Sequence, residues 1–234
     1  MADFKPTEEQ LEIVKAAKVE NMLKVSACAG SGKSSSLQLI AEELEESSLY
    51  LAFNKSIATE AAGKFPPHVE CRTAHSLAYS EFGRGISHKL TRPRGGYVNV
   101  AWTPAEIARY FKIKKSFGTK VDENGKPKEI TPVAIGGMIK KAVTRFEQSG
   151  EQEVLKHFVP YTQIKKYFDN KIETHQMNQM VQFIKAHAQQ LWDERIDNMS
   201  PVMASHDTYM KLYQLSKPHI AFDVIYLDEA QDTA

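Results

Sequence analysis

Cysteine is nearly absent from these 234 residues. The two present, Cys28 and Cys71, are far apart and stand at no metal-ligand spacing. That excludes a disulfide framework and a cysteine zinc site, and it points to a reducing, cytoplasmic compartment. Long apolar runs are missing too. Nothing approaches the roughly eighteen consecutive apolar residues of a membrane-spanning helix, so no membrane is expected as a partner. The opening MADFKPTEEQ is polar and acidic, the wrong chemistry for a secretory signal. There is no internal repeat and no low-complexity tract.

What remains is ordinary globular composition: 42% hydrophobic and 25% charged residues, enough for one large domain or two small ones. The net charge is +1, but it is unevenly spread. Residues 84–146 hold fourteen Lys and Arg against four Asp and Glu. Such a segment is either a solvated surface or a face for a polyanion.

The first eighty residues alternate between two periodicities. TEEQLEIVKAAK (7–18) has helical spacing and a capping box at Thr7 and Gln10. MLKVSACA (22–29) reads as a strand entering a glycine turn, and SSSLQLIAEELEE (34–46) as a helix. SLYLAF (48–53) and VECRT (69–73) read as further strands, each followed by a helix, at 55–65 and 74–82. Repeated strand–helix units predict a parallel sheet covered by helices, the α/β class. After RGISHKLTRPRGGYV (84–98) the chain reads as mostly helical over 104–198, with a polar turn at 122–127. A helix at 208–216 and a buried strand in FDVIYLDEA (222–230) follow. The economical division is an α/β domain from 1–83 and 206–234, carrying a mainly helical, basic insertion at 84–205.

Two motifs carry chemistry. In ACAGSGKS (27–34), a strand, a glycine turn and a helix N-terminus follow one another. Backbone N–H groups in such a turn face inward and favour an anion. Gly30 and Gly32 permit the turn, Lys33 can reach β- and γ-phosphates, and Ser34 can bind Mg²⁺. The usual pattern has glycine where Ala27 stands. A flexible Gly/Ser turn with an exposed lysine is the plain alternative. The second motif is Asp228-Glu229, after the apolar VIYL. A nucleotide-hydrolysing site needs one carboxylate for Mg²⁺ and another to orient water. Ligands of open parallel sheets sit beyond the strands' carboxyl ends, which would bring Lys33 and Asp228 to one rim. The plain alternative is an acidic strand end in water.

These stretches resemble the N-terminal part of a superfamily 1 DNA helicase of the UvrD/Rep type. Gln10 in TEEQ stands where that family reads adenine. ACAGSGKS is the family's own form of the phosphate loop, which accounts for Ala27. AFNKSIATEA (52–61), RTAHSLA (72–78) and DEAQDT (228–233) resemble its next motifs, with Ala74 where Phe is common. LAFNKSIATEA and YMKLYQLSKPHIAFDVIYLDEAQD are most similar to the F-box DNA helicase branch and its prokaryotic or phage relatives. The motifs cover roughly residues 7–82 and 206–233, and the insertion is matched by position alone.

The resemblance implies a RecA-like P-loop NTPase domain with ATP and Mg²⁺ as cofactors. It implies nucleotide contacts at Gln10, Ala29, Gly30, Ser31, Gly32, Lys33, Ser34 and Ser35, and metal contacts at Ser34 and Asp228. Catalytic roles fall to Lys33, Glu229 and Gln231. Contacts to single-stranded or partly duplex DNA fall to Phe53, Asn54, Lys55, His75 and Ser76. Arg92, Arg94 and Tyr97 in the insertion combine cations with an aromatic, the chemistry of a strand or duplex contact. Simpler readings stand beside these: Gln10 as a cap alone, Phe53 as core, His75 as a structural histidine. The family also needs a second RecA-like lobe that supplies an arginine, so the expectation here is a first lobe cut after its Mg²⁺ box. A binding module without turnover, or another P-loop NTPase, are the competing functions.

Overall fold

A computed structural model describes residues 5–28, 30–90, 101–114 and 130–230, with the backbone alone at 119–121 and 127–129. The chain divides into two compact units, one made of residues 1–77 with 219–234 and the other of 78–218.

The first unit is the α/β part. Helix α1 (Glu8–Ala17) opens with the full capping box: Thr7 accepts from the Gln10 N–H, and the Gln10 side chain accepts from Thr7. Glu8 and Glu9 in its first turn complement the helix dipole. Helix α2 (Lys33–Glu43) packs against α1, and Lys18 pairs with Glu43 across 2.6 Å. Strand β1 (Ser48–Ala52) leads into α3 (Lys55–Ala62), and β2 (Val69–Thr73) leads into the short helix α4 (Ala74–Ala78).

β1 is the central strand. It pairs in parallel with β2 on one side and with the late strand at Val224–Leu227 on the other. Val14, Ile40, Ala41, Tyr50, Ala52, Ala58, Ala61, Val69 and Tyr226 form the core beneath these elements.

One expected strand is absent. Residues 23–28 form no ladder with the sheet, and Met22, Leu23 and Val25 are exposed. An apolar pattern predicts a strand only where an edge receives it, because an unpaired strand leaves its N–H and C=O groups unmet. Neither outer edge of the sheet, at β2 or at the Val224–Leu227 strand, pairs with residues 23–28.

The second unit is mainly helical. The helix begun by α4 passes into a π-helical turn at Tyr79–Gly83, closed by the Arg84 N–H donating to the Tyr79 carbonyl at 3.1 Å. A 3₁₀ turn follows at Ser87–Lys89. Helix α5 (Pro104–Tyr110) starts with Pro at its first position and a Thr103–Glu106 capping box. A two-stranded antiparallel pair, β3 (Thr119–Val121) and β4 (Pro127–Glu129), interrupts the helical stretch that the sequence suggests. α6 (Pro132–Glu147) then packs on α5. The approach is so close that a Cβ on Gly136 would lie 2.2 Å from the Pro104 carbonyl oxygen. α7 (Tyr161–Tyr167), α8 (Thr174–Ile196) and α9 (His206–Leu215) complete the unit. Its core includes Ile107, Ile135, Ile139, Phe146, Ile184 and Trp192. The edge strand of the sheet, β5 (Val224–Leu227), then closes the first unit. No helix among the described residues is long and apolar enough to cross a membrane.

Candidate functional site

Register places the chemistry. In the parallel pairs, Ser48 lies opposite both Val69 and Val224, and Ala52 opposite Thr73. The three strands therefore end together, and the residues that follow them share one edge. After β1 come Phe53 and Asn54, after β2 come Ala74 and His75, and after β5 come Asp228 and Glu229.

The glycine turn meets that edge at the last of these. Gly30 and Gly32 have φ of 78° and 82°, left-handed values that other residues reach only under strain. Ser31 braces the turn by donating its hydroxyl to the Cys28 carbonyl at 2.7 Å. Gly32 caps α2, so the helix begins at Lys33 with its free N–H groups facing the turn. The Ser34 hydroxyl donates to Asp228 Oδ2 across 3.3 Å. Lys33 Nζ lies 3.3 Å from Glu229 Oε1. Glu229 itself sits at φ 50°, a left-handed backbone for a residue with a side chain. Such strain costs on the order of 1–3 kcal/mol and gathers at functional sites.

Gln10 belongs to this cluster as well as to its helix cap. It is buried, and its amide Nε2 donates to Ser36 Oγ at 3.3 Å. The same Nε2 would stand 3.2 Å from a Cβ on Gly32. Ser35 is half-buried in the first turn of α2.

Tyr50 is the residue that motif reading misses. Its hydroxyl donates to Asp228 Oδ2 at 2.5 Å, and Asp228 Oδ1 accepts from the Glu229 N–H at 3.0 Å. Burial, then the bond to Asp228, push the Tyr50 phenol far above its ordinary range. The available signal was a tyrosine inside an otherwise aliphatic strand, since a buried phenol needs a partner.

The arrangement can hold an anion and a cation at once. Inward N–H groups and Lys33 suit phosphate oxygens. Asp228 and the Ser34 hydroxyl are hard oxygen donors in contact, a set that suits Mg²⁺ held jointly by a protein carboxylate and ligand phosphates. Glu229 stands beside them as a second carboxylate.

Along the same edge, Phe53 is 56% exposed, which is not a core position. Lys55 and His75 are exposed. Two candidates are occupied locally. The Asn54 side chain caps α3 by accepting from the Ile57 N–H at 3.0 Å. The Ser76 hydroxyl donates to the Thr73 carbonyl at 2.8 Å. Ala29, Arg92, Arg94, Tyr97 and Gln231 lie outside the described residues.

This is a mixed α/β protein with a parallel sheet, whose glycine turn and paired carboxylates meet at one strand-end edge. In sequence it is similar to proteins named as helicases. It is 28% identical over 242 residues to F-box DNA helicase 1 of Gallus gallus, covering 99% of this chain and 22% of that protein. It is 27% identical over 223 residues to F-box DNA helicase protein 1 of Schizosaccharomyces pombe, covering 90% of this chain and 23% of that one. The chain thus spans less than a quarter of the length of these relatives. No family model matches it, and no solved structure matches it.

Proposed function

We propose that the chain is the ATP- and DNA-binding N-terminal lobe of an ATP-dependent DNA helicase of the UvrD-like kind. The observation that carries the reading is the meeting of Lys33 and Ser34 with Glu229 and Asp228, from opposite ends of the sequence, at the carboxyl edge of a parallel sheet. The names of the relatives favour the helicase over other users of nucleotides.

In this reading the N–H groups of the turn cradle the phosphates and Lys33 neutralises the outer two. Ser34 and Asp228 would hold Mg²⁺, which supplies charge to the leaving and transferring oxygens when bound. Gln10, anchored beside Gly32, faces the base. Glu229 orients and deprotonates the attacking water. Phe53 offers a face for stacking a base of single-stranded DNA, and Lys55 and His75 border it. The resemblance to superfamily 1 also assigns a second RecA-like lobe, whose arginine would complete the hydrolytic site. The lobe boundaries proposed are 1–83 with 206–234, around an insertion at 84–205.

A fluorescent ATP analogue tests the nucleotide half. Saturable, Mg²⁺-dependent binding is expected, and Lys33→Ala should remove most of it. Equal binding by both proteins would overturn the assignment. A module that binds without turnover is the second reading. ATP hydrolysis with and without single-stranded DNA separates the two.

A further inference from the structure

Tyr50 occupies the middle of β1, opposite Tyr226 in β5 and Cys71 in β2. Residues two apart on a strand share a face, so Tyr226 and Asp228 point the same way. A long aromatic side chain can span the diagonal from one strand to the second residue along its neighbour. The Tyr50 ring does so, and its hydroxyl ends on Asp228 Oδ2 at 2.5 Å. The ring cannot swing freely. Phe65 packs against it at 4.7 Å between centroids, and Tyr50 is 1% exposed.

The carboxylate is held by three donors. Oδ2 accepts from Tyr50 and Ser34, and Oδ1 accepts from the Glu229 N–H. An ionised carboxylate offers about four lone-pair sites. Among the described residues one therefore remains, and it belongs to Oδ1. A phenylalanine would pack on Phe65 equally well, and a buried hydroxyl is costly unless it is hydrogen-bonded. The hydroxyl is thus explained by Asp228 and by no other contact the ring makes.

We propose that Tyr50 is a positioning residue for the divalent cation: its hydroxyl fixes the Asp228 carboxylate with Oδ1 left open to the ion's water shell. The inference rests on the nucleotide reading above and assigns a role to a residue outside every motif of that reading.

The test is a titration of Mg²⁺ into the full chain with a fixed concentration of fluorescent ATP analogue. Wild type, Tyr50→Phe, Asp228→Asn and the double variant are compared. Tyr50→Phe should raise the Mg²⁺ concentration at half-saturation about tenfold, the range in which outer partners of metal ligands act. The weak residual binding in EDTA should be the same for wild type and Tyr50→Phe. In the Asp228→Asn background, Tyr50→Phe should add nothing. Phe65→Leu, which keeps the hydroxyl but loosens the ring, should give a smaller rise and guards against a Tyr50→Phe protein that does not fold. An unchanged midpoint in a folded Tyr50→Phe protein, with Lys33→Ala still abolishing binding, overturns the role of Tyr50 alone. Absence of saturable analogue binding by the wild type overturns the nucleotide reading, and this inference with it.

Discussion

Ser34 and Asp228 stand 194 residues apart in sequence and 3.3 Å apart in space, hydroxyl donating to carboxylate. Beside them Lys33 pairs with Glu229. The glycine turn and the end of β5 are therefore already in contact, so phosphates and a cation would enter a site whose polar groups satisfy one another.

Glu229 should be separable from binding. The Lys33–Glu229 pair is about a third exposed on the acid's side, and pairs of that kind contribute under about 1 kcal/mol. Glu229→Gln is expected to leave affinity for the ATP analogue within about twofold, while abolishing DNA-stimulated hydrolysis once a second lobe is supplied by fusion to a relative. A large loss of affinity would instead make Glu229 a binding residue. Glu229→Gly relieves a left-handed backbone but adds entropy to the unfolded chain, each by roughly 1 kcal/mol. Urea unfolding should find it as stable as wild type to within about 1 kcal/mol.

Phe53→Ala removes an exposed ring, so stability should change by less than about 0.5 kcal/mol. If the ring stacks a base, affinity for single-stranded DNA should fall by about 1–3 kcal/mol. The dependence on salt should keep its slope, because stacking releases no counterions. Fluorescence anisotropy at several salt concentrations reads both quantities. Wild-type affinity in the variant would remove Phe53 from the DNA face.

Arg195 and Glu147 form a buried pair at 2.6 Å, each side chain 1% exposed. Thr208 and Ser205 also donate to the Glu147 carboxylate. Arg195→Met leaves that charge without its cation and should cost about 3–5 kcal/mol in urea unfolding. Adding Glu147→Leu should recover a substantial part, since an apolar pair replaces an ionic one at little cost.

Burial, then Tyr79 and Asp207, push the Tyr209 phenol upward. A raised phenol favours the folded state fully below the unfolded value near pH 10, and this stabilisation is lost as pH climbs through the folded value. Stability should therefore fall above about pH 10, and less steeply in Tyr209→Phe. Denaturant melts between about pH 9 and 11.5 check the difference in slope.

The legible parts of the site are those that local chemistry dictates. Thr7 and Gln10 signal a cap by spacing, and Gly30 and Gly32 signal left-handed turns. Asp228 and Glu229 stand out as acids after an apolar run. Residues 23–28 mislead because alternating apolar residues do not say which sheet edge will pair with them. Tyr50 is silent for the opposite reason. Its partner is chosen by strand register, a property of two segments that no single window contains. The π turn at Tyr79–Gly83 and the β3–β4 pair are likewise invisible to helical periodicity.

The order of strands in the sheet also bears on how the protein comes off the ribosome. β1 and β2 emerge early, yet β1 receives its second neighbour only after the whole of 78–218 has been made. That mainly helical segment can fold while β1 still shows an open edge, the kind of edge that invites wrong pairing. Until β5 docks, the Tyr50 hydroxyl has no acceptor, and Lys33 and Ser34 have no acids to meet. Translation itself thus keeps the glycine turn apart from its carboxylates while everything between them is being built.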